Sequence, residues 1–181
     1  MQKIVHGRHF VEEGFTSHAT FLPDDIYSQV LDNIVVACAE IVLLNNKGEM
    51  LLAKRQQEPQ ADWWIIGGRM KPGESFEQAA ARNIKRELSI NIKQKRFKYF
   101  CTYSTAWTRR AQEPKENGSH TTSTTMIVVV SEREVKSMKH SEEYSAMQWL
   151  APVVIIAGRS TFHRAVVMLA RNVISYKKSV G

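Results

Sequence analysis

The chain is poor in the features that mark whole classes of protein. Of its 181 residues only two are cysteines, Cys38 and Cys101, and neither has a second ligand at zinc-finger spacing. A disulfide scaffold and a structural zinc site are thereby excluded. No apolar run approaches the roughly 20 residues needed to cross a bilayer. The start, Met1-Gln2-Lys3-Ile4-Val5-His6-Gly7, lacks an apolar core of signal-peptide length, so the cytoplasm is the expected location. Internal repeats and low-complexity tracts are absent as well. Although the formal charge is +7, the basic residues are scattered with no long Lys/Arg block. The charge therefore fits a small anionic ligand such as a diphosphate at least as well as a polynucleotide.

What is present is a soluble-type composition, 43% hydrophobic and 24% charged, long enough for one domain with a sizeable core. Residues 1–33 form a mixed extension, in which Pro23-Asp24-Asp25 marks a turn or helix start. The run Ile34 to Leu44 reads as a strand with a single internal charge, Glu40. It ends at Asn45-Asn46-Lys47-Gly48, a hairpin signal from which Glu49 to Arg55 should return as its partner. Trp63 to Ile66 forms a third short strand leading into Gly67-Gly68. From about Ser75 to Leu88 the spacing predicts a helix whose apolar face is Phe76, Ala79, Ala80, Ile84 and Leu88, with Arg82, Arg86 and Glu87 off that stripe. Strands follow at Phe97–Thr105 and Thr124–Val130, separated by a polar loop from Arg109 to Thr122. Ala146–Leu150 is a last strand. Ser160–Tyr176 is an amphipathic helix burying Phe162, Val166, Leu169 and Val173. Cys38 is expected in the core. The order of elements predicts an α+β fold around a mixed sheet.

The chemistry concentrates at residues 67–90. Paired glycines after a strand let backbone groups approach a ligand closely. Glu74, Arg82 and Glu87 follow at steps that a loop folded onto a helix start could gather around a metal and a diphosphate. Mg²⁺ prefers oxygen ligands and commonly takes one or two carboxylates with a substrate phosphate.

This segment resembles the Nudix box: Gly68, Glu74, Arg82, Ile84, Glu87 and Ile90 match in register, whereas Asn83, Arg86 and Ser89 replace two acidic residues and a glycine. Leu51-Leu52-Ala53-Lys54-Arg55, Trp63-Trp64 and Glu142-Glu143-Tyr144-Ser145 before Trp149-Leu150 extend the likeness over residues 34–151. The departures resemble those of the GDP-mannose mannosyl hydrolase branch. The resemblance implies a Nudix-type α/β/α sandwich over residues 34–181, including the C-terminal helix, with residues 1–33 as an extension making dimer or substrate contacts.

It further implies that Mg²⁺ (or Mn²⁺) is held by Glu87, the Gly68 carbonyl and Glu143. Arg55 and Arg69 would hold the diphosphate, Arg82 would hold it or orient glutamates, and Glu40 would lie near the substrate. Glu74 is expected to be structural. Tyr144 stands where that branch has its base histidine, which leaves His140 or Glu143 as the base. The implied activity is hydrolysis of a nucleoside diphosphate derivative, a nucleotide sugar such as GDP-mannose first, by C–O cleavage. A P–O-cleaving pyrophosphohydrolase and a catalytically reduced ligand-binding module are the alternatives. A homodimer is implied; a membrane or nucleic-acid partner is not.

Overall fold

Strand alternation decides the architecture. Along β1 (Val36–Leu44) the side chains of Ile41 and Leu43 enter one hydrophobic core, and those of Val42 and Leu44 enter another. β2 (Met50–Arg55) divides in the same way, with Leu51 and Ala53 on one face and Met50 and Leu52 on the other. A strand that is apolar on both faces needs cover on both, because successive side chains point to opposite sides of a sheet. Two helices provide it. α2 (Phe76–Leu88) places Ala80, Ile84 and Leu88 in the first core, and α5 (Arg164–Val180) places Val166, Leu169, Ala170 and Val173 in the second. The result is the expected α+β fold, a three-layer α/β/α arrangement, seen here in a computed structural model that describes residues 8–180. Of the N-terminal extension, residues 1–7 lie outside the described residues.

The remaining elements are α1 (Asp24–Asn33), β3 (Trp63–Trp64), β4 (Ile66–Arg69), β5 (Lys98–Trp107), β6 (Ser119–Val129), α3 (Glu132–Ser137), β7 (Tyr144–Leu150) and α4 (Pro152–Ala157). The seven strands form one mixed sheet with the path β3-β2-β1-β6-β5, to which β4 is added beside β1 and β7 beside β2.

The strand partnerships correct the hairpin expectation. β1 and β2 register only at their neck, Leu44 opposite Met50. Both edges of β1 are taken elsewhere, by β6 in parallel from Val36–Thr121 to Leu44–Val129 and by β4 antiparallel. β2 instead pairs with β7, Leu51 opposite Trp149, and with β3. A second correction concerns the glycines. Gly67 and Gly68 lie inside β4, opposite Glu40 and Ala39 of β1, rather than in a loop after a strand. Gly67 is required there by close approach. A Cβ on it would stand 2.7 Å from the Glu40 Cα and 2.8 Å from the Ala39 carbonyl oxygen.

α2 begins as its sequence predicts. Ser75 accepts from the Gln78 N–H while the Gln78 side chain accepts from the Ser75 N–H, a reciprocal cap. Its buried face is wider than the predicted stripe, however, and takes in Asn83 and Glu87, both 0% exposed. The helices α3 and α4 have no counterpart in the sequence expectations; each has six residues, too few for a periodic signal. No helix among the described residues is long and apolar enough to cross a membrane.

Candidate active site

A cavity of about 290 Å³ opens where β1, β4, the start of β7 and the long loop after β5 meet. Its basic wall consists of Arg55, Arg69, Arg86 and Arg110, and its acidic groups are Glu40, Glu58 and Glu143. Gly67 and Gly68 form part of its floor, and Trp64 and Trp107 form an aromatic side. Tyr27 and Leu31 of α1 close it from the N-terminal extension. The Arg69 guanidinium carbon lies 4.1 Å from the centre of the Tyr27 ring, within cation–π range.

α1 is fastened over this cavity by Arg110, which is 1% exposed. The Arg110 guanidinium donates to Asp32 Oδ1 at 2.7 Å, to Ser28 Oγ at 2.6 Å and to the Gly118 carbonyl at 3.2 Å. The long polar loop is therefore an anchor for the extension. Its charged residue at 110 is the signal that sequence reading passed over, because an arginine in a polar loop ordinarily faces solvent.

Glu40 is buried, and its carboxylate accepts from Trp64 Nε1 at 3.0 Å and from the Tyr103 hydroxyl. Burial pushes its pKa up, against those two hydrogen bonds and the Arg55 charge. Cys38, two residues earlier on the same face of β1, is pushed up to about 12, first by burial and then by the Glu40 charge, so it stays a thiol.

Glu87 is enclosed on all sides. Its Oε1 accepts from Arg86 Nη2 at 2.5 Å. Its Oε2 accepts from the Tyr144 hydroxyl and from the Gly67 N–H at 3.3 Å. Burial raises its pKa, while Tyr144 and Arg86 act to lower it and Glu143 adds to the rise. Burial and the adjacent Glu87 charge likewise push the Tyr144 hydroxyl well above its ordinary range, so it remains a donor. Asn83 completes the cluster, its amide nitrogen donating to the Gly68 and Ala39 carbonyls, each at 3.2 Å.

The other residues singled out from the sequence separate clearly. Arg82 does not line the cavity. It grips Glu74 through Nε at 2.5 Å and Nη2 at 2.7 Å and reaches the Arg69 carbonyl at 2.9 Å, shaping the loop that carries Arg69. Glu74 is accordingly structural, and it also accepts from the Lys71 N–H at 2.8 Å. His140 lies outside the cavity, with Nδ1 3.1 Å from the Ser141 carbonyl oxygen. Glu143 is exposed and lines the cavity, whereas neighbouring Glu142 does not; its carbonyl accepts from Gln56 Nε2 at 3.0 Å. Tyr144 lines the cavity itself, and Glu87, which does not line it, is held behind it by the Tyr144 hydroxyl and reaches the site through Tyr144 and Arg86. The structure thus brings together Glu40, Arg55, Gly68, Arg69, Glu87, Glu143 and Tyr144, and leaves out Arg82 and His140. The Arg86–Glu87 contact had no usable signal, since neighbouring residues on a helix do not ordinarily face each other.

The donor set is a poor match for a divalent ion. A hard cation needs several free oxygen ligands. Both oxygens of Glu87 and the Gly68 carbonyl are already occupied by N–H or O–H donors. Among the described residues no three acidic, histidine or cysteine side chains are grouped so as to hold a metal.

Comparison with known proteins follows the same outline. A protein of Bacillus subtilis (strain 168), named provisionally as an 8-oxo-dGTP diphosphatase, is 43% identical over 53 residues. That match spans 29% of this chain and 34% of the relative, about a third of its length. The crystal structure of a MutT protein from Methanosarcina mazei Go1 aligns with 80% of this chain and 96% of its own, at a TM-score of 0.63 and 19% identity. A C. elegans Ap4A hydrolase binary complex aligns with 80% of this chain and 99% of its own, at a TM-score of 0.56 and 19% identity. At such identities these two structures bear on the fold alone. The NUDIX domain family profile matches residues 36–169, which takes in every strand of the sheet and the whole of α2. The chain belongs to the Nudix family.

Proposed function

We propose that the protein hydrolyses a nucleoside diphosphate derivative in the cavity beside β4, with a nucleotide sugar as the preferred substrate class. The observation that carries this reading is the wall formed by Arg55, Arg69 and Arg86, which shares the cavity with the solvent-exposed carboxylate of Glu143. Arginine forks match phosphate oxygens in pairs, and a diphosphate has enough oxygens to engage more than one fork. In C–O cleavage the nucleoside diphosphate is the leaving group, and the arginines stabilise the charge that develops on it. Water forms the new bond to the sugar C1 and the C1–O bond breaks. The electron pair leaves with the diphosphate, and the proton of the water passes to Glu143. The aromatic side, Trp64 and Trp107, offers flat surface for a base or sugar ring.

Nudix hydrolases generally use a divalent metal such as Mg²⁺. The occupied oxygens of Glu87 and Gly68 do not favour one here, so the steps above use only side chains of this chain. A second reading, P–O cleavage of a nucleotide, is supported by the name of the Bacillus subtilis relative.

One experiment separates the two. Nucleotide sugars, nucleoside triphosphates and dinucleoside polyphosphates are hydrolysed in heavy-oxygen water, with and without Mg²⁺, and the products are weighed by mass spectrometry. Label in the free sugar is the expected result. Label in phosphate establishes the second reading, and no turnover of any member of the panel rejects both.

A further inference from the structure

We infer that the Arg86 guanidinium is the resident cation of this site, seated between Glu87 and the Gly68 backbone, so that the site takes its diphosphate without a divalent ion. Four observations converge. First, Arg86 Nη2 is 2.5 Å from Glu87 Oε1, and a Cβ built on Gly68 would stand 3.1 Å from that same nitrogen. The guanidinium therefore lies against both the helix carboxylate and the β4 glycine. Second, the acceptors around it are already used: Glu87 Oε2 by Tyr144 and Gly67, and the Gly68 carbonyl by Asn83.

Third, the charge already balances. Glu87 is 0% exposed, and a buried carboxylate persists only with a paired charge and hydrogen bonds. Arg86 supplies the opposite charge, whereas a divalent ion added beside a fixed guanidinium would meet its repulsion. Fourth, Arg86 is placed to do more than neutralise. Its side chain is 47% exposed and lines the same cavity as Arg55 and Arg69. Among the described residues only Nη2 of its three guanidinium nitrogens is engaged by the protein, which leaves N–H groups for phosphate oxygens. The seat on Glu87 stands on geometry alone; the choice of a diphosphate as its anion rests on the hydrolase reading above.

The full-length chain, metal-free, is titrated with Mn²⁺ and followed by electron paramagnetic resonance, with no nucleotide present. The wild-type protein is expected to show no stoichiometric site, whereas Arg86→Glu, which restores a carboxylate, gains one Mn²⁺ per chain at least about tenfold more tightly. Equal Mn²⁺ binding by the two proteins, including no binding by either, overturns the seat. Arg86→Gln is the companion variant in case two adjacent carboxylates prevent folding. Calorimetry with inorganic pyrophosphate in EDTA completes the test. Binding by the wild type and a loss of about tenfold in Arg86→Gln are expected, in line with one charge-assisted pair removed. Pyrophosphate binding that appears only when Mn²⁺ is added overturns the inference. Because neither measurement uses turnover, a silent substrate panel would sink the hydrolase reading while leaving the Arg86 seat standing.

Discussion

Tyr144→Phe is the sharpest test of how the site is held together. The substitution keeps the ring, which packs in the core against α2, and deletes only the hydroxyl that donates to Glu87 Oε2. Glu87 then retains Arg86 at 2.5 Å on Oε1 but only the Gly67 N–H, at 3.3 Å, on Oε2. No solvent is available to replace the lost donor, since Glu87 is 0% exposed. Hydrogen bonds to charged groups contribute roughly 1.5–3 kcal/mol, so a loss of about 2 kcal/mol is expected. For a chain of this size each kcal/mol moves the melting temperature by about 2–4 °C, which gives a fall of roughly 4–8 °C. Thermal unfolding followed by circular dichroism measures it directly. A double-mutant cycle with Glu87→Gln should then show coupling of at least about 0.5 kcal/mol, because the two side chains share one hydrogen bond. A Tyr144→Phe protein that melts within about 1 °C of wild type would refute the view that the buried carboxylate depends on this hydroxyl.

Three further perturbations test other parts of the structure. Arg96 holds the Glu134 carboxyl down to about 2 from an ordinary 4.5, with Ser131 adding to the effect. Because the folded pKa is depressed, the pair stabilises above about pH 4.5 and that stability is lost as pH falls toward 2. Glu134→Gln should therefore destabilise the fold at neutral pH by about 1 kcal/mol, discounted for partial exposure, a fall of roughly 2–4 °C in melting temperature that should vanish near the acid end. A constant difference across a pH series counts against the pair. Gly67→Ala places a Cβ against fixed backbone of β1 and should cost about 1–3 kcal/mol by urea unfolding, with an unchanged midpoint contradicting the close approach. Arg110→Met removes the donors to Ser28 and Asp32 and should speed hydrogen exchange in α1 while the sheet stays protected; unchanged α1 exchange would show that the clamp is idle.

Much of the fold was legible because period-two and period-3.6 patterns report directly on burial. The run from Ile34 to Leu44 became β1, and the stripe from Phe76 to Leu88 became α2 with its Ser75 cap. What the pattern cannot carry is partnership. Asn45 to Gly48 does form a tight turn, with Asn45 Oδ1 accepting from the Lys47 and Glu49 N–H groups, but a turn fixes only the neck of a hairpin. Which strand lies beside β1 is decided by competition for its two edges, and β4 and β6 offer longer ladders. Boundaries failed where a polar strand imitates a loop. Ser119 to Ser123 belongs to β6 although its residues are Ser, His, Thr, Thr and Ser, because β5 and β1 supply its hydrogen bonds from either side.

The candidate site shows the same limit at closer range. In the sequence, Asn83, Arg86 and Tyr144 are three separate departures from a family pattern, and each taken alone reads as a missing function. In the structure they form one device. Asn83 donates to the Gly68 carbonyl, Arg86 to one oxygen of Glu87 and Tyr144 to the other. Both oxygens of Glu87 and the Gly68 carbonyl are thus met by a donor from one of these three residues, and the buried charge of Glu87 stays balanced by Arg86. Substitutions that answer one another in this way are not independent losses. Restoring a single carboxylate at residue 83 would set a second buried negative charge beside Glu87 while Arg86 still occupied Oε1. Restoring one at residue 86 removes the guanidinium that pairs with Glu87 and frees Oε1 in the same step. Residue 86 is therefore the position at which one substitution should change the ion that the site prefers.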